Sequence, residues 1–148
     1  MAATYNNLYL DARKRLREAG VEGAQLEARE LVCCAAGKSR EQFYRDMALY
    51  ASDPVEEKLA ELLERRLAGE PVAYLIGEWE FYGLGLDITP DVLIPRMDTE
   101  VLAERAILLA RAAGEGARVL DLCAGSGCVG LALSLIHISE PTRRRGIS

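Results

Sequence analysis

Residues 119–130 read VLDLCAGSGCVG, and no other run restricts the fold as much. A β-type stretch at 118–122 enters the turn Cys123-Ala124-Gly125-Ser126-Gly127, and helix-forming residues resume near Ser126. Glycine has no Cβ, so the backbone of such a turn can lie close to a ligand. The free N–H groups of the following helix attract polar or negative ligand atoms. Strand, glycine turn and helix in that order predict an α/β domain with a nucleotide-type site at the strand's C-terminal end. Gly125, Gly127 and Gly130 also spell G-x-G-x-x-G, the dinucleotide fingerprint. A fingerprint glycine comes directly after its strand, yet Asp121, Leu122, Cys123 and Ala124 precede Gly125. The run alone leaves a ligand-free turn and more than one kind of nucleotide site open.

The first 70 residues predict helices. Thr4 or Asn6 can cap a helix with Tyr5, Leu8, Ala12, Leu16 and Ala19 on one face and Gly20 as its stop. A second helix places Ala24, Ala28, Leu31, Val32 and Ala35 inward and stops at Gly37. Ser39 and Gln42 have the spacing of a capping box for a short helix with Phe43 and Met47. Asp53 as cap, Pro54 at the first position and Glu56 reaching back open a fourth, which runs through Leu59, Leu62, Leu63 and Leu67. The helical period is lost at Gly69-Glu70-Pro71. Ile76, Trp79, Phe81, Leu84, Leu86 and Ile88 then predict one or two short strands turning near Gly83. After a stiff stretch at 89–96, Asp98 or Thr99 can cap a helix facing inward with Leu102, Ala106, Leu109 and Ala113.

Charge and cysteines narrow the chemistry. The formal charge is −5 over 148 residues, which argues against a non-specific nucleic-acid binder. Cys33-Cys34 and Cys123…Cys128 lack metal or redox spacing. No run reaches membrane-spanning length and the N-terminus has no apolar signal core, so a cytoplasmic protein is expected.

The string D-L-x-x-G-S-G at 121–127 resembles motif I of the class I S-adenosylmethionine-dependent methyltransferases. Further blocks stand upstream in order: Arg65-Arg66, Gly69-Glu70-Pro71, Tyr74-Leu75-Ile76-Gly77, Glu80-Phe81-Tyr82-Gly83, and Val92-Leu93-Ile94-Pro95-Arg96 followed by Asp98-Thr99-Glu100. Together they resemble the peptide chain release factor N5-glutamine methyltransferase family. The resemblance covers residues 1–132. It implies an N-terminal helical, release-factor-binding domain over 1–70, a β-hairpin linker over 71–95, and over 96–132 the start of a Rossmann-like, doubly wound domain. It implies S-adenosyl-L-methionine held by Asp121, Cys123, Ala124, Gly125, Ser126, Gly127 and Thr99. It also implies release factors as protein substrates of a monomer, without direct contact to nucleic acid or membrane and without a metal. Arg96 and Glu100 are expected either to act at the site or only to brace the helix.

The family also needs an N-P-P-Y motif to orient the substrate amide, and here the only asparagines are Asn6 and Asn7, with no Pro-Pro. No catalytic residue is therefore assigned, and the 148-residue chain is expected to be inactive. Residues 133–143, LSLIHISEPTR, match the translation of a transposon-based sequencing adapter, and Ile147-Ser148 keeps its spacing. Residues 133–148 are expected to be adapter-derived. They hold His137, the only histidine, and the Arg143–Arg145 cluster, so neither enters the chemistry. The competing readings are a class I methyltransferase for RNA or a small molecule, a dinucleotide oxidoreductase, and a non-catalytic release-factor-binding fragment.

Overall fold

Left-handed glycines close the first helices where the sequence places them. A computed structural model describes residues 3–145, with side chains through Ile136. In order, the elements are α1 (Tyr5–Glu18), α2 (Ala24–Ala36), α3 (Arg40–Asp46), α4 (Asp53–Leu67), α5 (Val72–Ile76), β1 (Glu78–Phe81), β2 (Leu84–Asp87), α6 (Met97–Ala113) and α7 (Cys128–Arg145). They form two compact units, Met1–Ile76 and Gly77–Ser148. The architecture is helix-rich with one small antiparallel sheet. Among the described residues no helix is long and apolar enough to cross a membrane.

The first unit is built around α2, which packs against α1, α3, α4 and α5. Its buried Ala24, Ala28, Leu31, Val32 and Ala35 are the expected inward face. Thr4 caps α1 by accepting from the Asn7 N–H, and Gly20 follows in the left-handed region. Gly37 ends α2 at φ +61°. The Ser39–Gln42 capping box is complete: Ser39 Oγ accepts from the Gln42 N–H, and Gln42 Oε1 accepts from the Ser39 N–H. A polar tie spans 39 residues, where Arg66 donates twice to Glu27 at 2.6 and 3.2 Å and joins α4 to α2. The start of α4 differs from expectation. Ser52 is the N-cap, and Glu56 accepts from the Ala3 N–H at 2.9 Å rather than reaching back. Thr4, the next residue, is also held by a backbone bridge to Tyr50. That draws Glu56 away from its own helix end. The unit extends past residue 70 because α5 packs on α2 and α4.

Asp46, the buried charge of this unit, is held by Arg45 at 2.8 Å and Lys38 at 2.7 Å. These two cations, Arg45 first, hold its carboxyl well below the usual aspartate value of 3.8. The folded chain therefore keeps Asp46 ionised at a pH where the unfolded chain has taken up a proton. The stabilisation is complete above the unfolded value and is lost as pH falls from there through the folded one. We expect the unit's melting temperature to be flat from about pH 7 to 5 and to fall below about pH 4. Asp46→Asn should flatten that acid limb in thermal circular dichroism. An unchanged limb would assign it to other groups.

In the second unit β1 and β2 pair antiparallel, Glu78 with Asp87 through Phe81 with Leu84. The two-residue loop Tyr82-Gly83 has positive φ at both positions, +50° and +75°, the signature of a type I′ hairpin turn. Trp79, Phe81, Leu84 and Leu86 alternate with the exposed Glu78, Glu80 and Asp87. Phe81 forms one buried cluster with Ala103 of α6 and with Cys128 and Ala132 of α7. Ile107, Ala110 and Leu133 form a second cluster along the same helix pair.

Three expectations fail here. The inward face of α6 is Ala103, Ile107 and Ala110, while Leu102 and Leu109 are 60% and 73% exposed. This helix is apolar on two faces, and the face rich in small residues is the one packed on α7. Its N-cap is Arg96, with no side-chain bond, in place of Asp98 or Thr99. The stretch 118–122 is not a strand. A strand needs hydrogen-bonding neighbours, and among the described residues the sole sheet is β1–β2. Of the α/β expectation, the described residues show helices and one hairpin and no parallel sheet. The side chains of His137 and Arg143–Arg145, and all of residues 146–148, lie outside the described residues.

Candidate functional site

The glycine turn keeps its local geometry although no strand precedes it. Cys123, Gly125 and Gly127 take φ values of +59°, +57° and +75°. The Gly127 N–H donates to the Ala124 carbonyl at 2.8 Å, which closes the turn. The Leu131 N–H then donates to the Gly127 carbonyl at 2.9 Å as α7 begins. A Cβ placed on Gly125 or Gly127 would meet nothing within 4 Å. The turn is open on that side, and its glycines answer to backbone angle rather than to crowding.

Asp121 lies against the third glycine. A Cβ on Gly130 would come within 3.3 Å of Asp121 Oδ2. The structure therefore brings together Asp121, the turn at 123–127 and the first turn of α7. Ser126 and Gly127 are half-buried, and Cys123, Ala124 and Gly125 are exposed. Cys128 is buried in the Phe81 cluster. Thr99 stands in the first turn of α6, its N–H donating to the Arg96 carbonyl at 3.0 Å. It shares a unit with the glycine turn, on a helix packed against α7. Of the remaining cysteine pair, Cys33 is buried, and that burial pushes its thiol up to about 11, so it stays protonated at neutral pH. Among the described residues no group of side chains is arranged to hold a metal ion.

Two contacts are not evident from the sequence. The closeness of Asp121 and Gly130 rests on how the turn folds back. Glu100 Oε1 accepts from the Tyr82 N–H at 2.8 Å, so α6 is tied to the hairpin tip. The signal for the second was a tyrosine before glycine in a two-residue loop, where a left-handed non-glycine residue benefits from an outside partner.

Residues 7–77 match the PrmC N-terminal domain family. Over 117 residues the chain is 42% identical to a release factor glutamine methyltransferase of Haemophilus influenzae, covering 76% of this chain and 40% of the relative. A relative of the same name from Bordetella pertussis is 46% identical over 117 residues, 75% of this chain and 41% of its own length. One from Vibrio cholerae is 39% identical over 145 residues, 97% of this chain and 49% of the relative. That last match takes in part of 133–148. The chain spans less than half the length of these curated relatives. The matches bear out the motif resemblance: residues 7–77 are similar to the PrmC N-terminal domain, and most of the chain is similar to the release factor glutamine methyltransferases.

Proposed function

We propose that these residues belong to a cytoplasmic, monomeric enzyme that methylates the side-chain amide nitrogen of the GGQ glutamine in peptide chain release factors. The observation that carries this reading is the open glycine turn with Asp121 folded against it, in a chain whose relatives bear that enzyme's name. S-adenosylmethionine fits the groups present, because it offers an ammonium to a carboxylate and polar edges to free backbone N–H groups. Asp121 would hold the ammonium, the backbone of Cys123–Gly127 would line the methionine part, and Thr99 would stand beside it. The cofactor supplies an electrophilic methyl group. Exposed Val119, Leu120 and Leu122, with Leu102 and Leu109 on α6, are side chains that a doubly wound sheet would cover.

The 148-residue chain is itself proposed to be inert. An amide nitrogen is a poor nucleophile, so its catalyst must orient it by hydrogen bonds, and the N-P-P-Y string that does so in the family is not in this sequence. Residues 133–148 are proposed to be adapter-derived. One experiment tests the whole reading. The gene is rebuilt from genomic DNA downstream of the Ala132 codon, and its product is incubated with release factor and S-adenosylmethionine. The expected result is a mass gain of one CH₂ on the GGQ peptide, with none from the 148-residue chain. A gain on RNA and none on release factor would overturn it.

A further inference from the structure

Glu100 ties the hairpin tip to α6, and the hairpin's Phe81 shares a buried cluster with Cys128, the residue directly after the glycine turn. We propose that Glu100 is a positioning residue for that turn, acting through Phe81; as a statement about cofactor binding, this rests on the reading above. Tyr82 is held at φ +50°, a conformation that L residues resist. Its N–H donates to the Glu100 carboxylate at 2.8 Å, and that bond offsets part of the strain. With Tyr82 fixed, the Phe81↔Leu84 pair at the end of the hairpin is fixed too, and Phe81 is directed into the cluster. Cys128 is the first residue of α7. The two hydrogen bonds that shape the turn, Gly127 to Ala124 and Leu131 to Gly127, lie at that same helix start. The line Glu100–Tyr82–Phe81–Cys128 thus connects a carboxylate on α6 to the backbone that would receive the cofactor.

A merely structural Glu100 would act through its charge at the N-terminus of α6. Glutamine removes the charge but keeps the acceptor, and alanine removes both, so the pair separates the two roles. Amide exchange at Gly127 and Leu131 in the 148-residue chain is the readout, with amides of α2 and α4 as internal reference. Glu100→Ala is expected to speed exchange at Gly127 and Leu131 up to about tenfold, the size expected for a lost hydrogen bond. Glu100→Gln should restore it to within about twofold. Phe81→Leu should speed the same amides, and the double variant Phe81→Leu/Glu100→Ala should be less than additive. Faster exchange confined to 78–87, additivity, or no rescue by glutamine would each overturn the proposal. If Glu100→Ala unfolds its unit, Phe81→Leu decides alone, and unchanged exchange at Gly127 overturns it. S-adenosylhomocysteine is titrated into the same samples. Protection of Gly127 in the parent chain that weakens in Glu100→Ala supports both claims. The same titration in the rebuilt full-length protein decides the cofactor reading, which absence of protection there removes, while the exchange rates still decide the mechanical link.

Discussion

Replacing Phe43 with alanine is expected to lower the stability of the helical unit by about 3–5 kcal/mol. Phe43 is 1% exposed and is one of the largest side chains buried in the chain. It belongs to α3, seven residues long, far below the length at which a helix holds itself in water. Its capping box satisfies the helix N-terminus, but a cap contributes only about 1 kcal/mol. The helix persists because Phe43 anchors it. The ring meets Tyr9 edge-on at 5.8 Å between centroids and lies 5.5 Å from Tyr44. Alanine would lose that apolar contact and leave a cavity. For a unit of this size the melting temperature should drop by more than about 10 °C. Tyr44→Ala is the control: its side chain is 56% exposed, and its removal should cost less than about 1 kcal/mol. Thermal circular dichroism of the two variants checks this. Equal melting temperatures would mean that Phe43 does not hold α3 in place.

The same contrast explains what could be read ahead of the structure. Gly20, Gly37 and the Ser39–Gln42 pair act within four residues of themselves, so their effect is local and visible in sequence. The buried face of α2 was legible because only one side of that helix is continuously apolar. The face of α6 was not. Leu102 and Leu109 are more hydrophobic than Ala103 and Ala110, yet close approach of α7 selects the smaller residues. The stretch 118–122 has β-type composition, but a strand is a pairing and depends on neighbours elsewhere in a chain. Asp53 lost its expected cap role to Ser52, and the reach-back of Glu56 was lost to a contact 53 residues away, at Ala3. For the site, glycine spacing revealed the turn, because positive φ is a property of single residues. The approach of Asp121 to Gly130 and the bond from Tyr82 to Glu100 needed three dimensions.

If the turn holds the cofactor as proposed, Gly127→Val should sharply weaken that binding while leaving the helical unit unchanged. At φ +75° a β-branched residue is an outlier, and the conformation alone costs an L residue about 1–2 kcal/mol. The space beside Gly127 is open, so crowding adds nothing and the penalty is one of backbone angle. Valine would relieve it by leaving the left-handed region. That breaks the bond to the Ala124 carbonyl and moves the carbonyl that accepts from Leu131, so both the turn and the first turn of α7 shift. In the rebuilt full-length protein, S-adenosylhomocysteine should then bind more than about 30-fold more weakly by calorimetry. Gly20→Ala is the matched control, since Gly20 also has positive φ, +79°, and open space, but lies at the end of α1. It carries a similar backbone penalty with no bearing on the turn, so its affinity should equal the parent's. If Gly20→Ala weakened binding as much as Gly127→Val, the loss would reflect general destabilisation. Parent-like binding by Gly127→Val would place the ligand away from the turn.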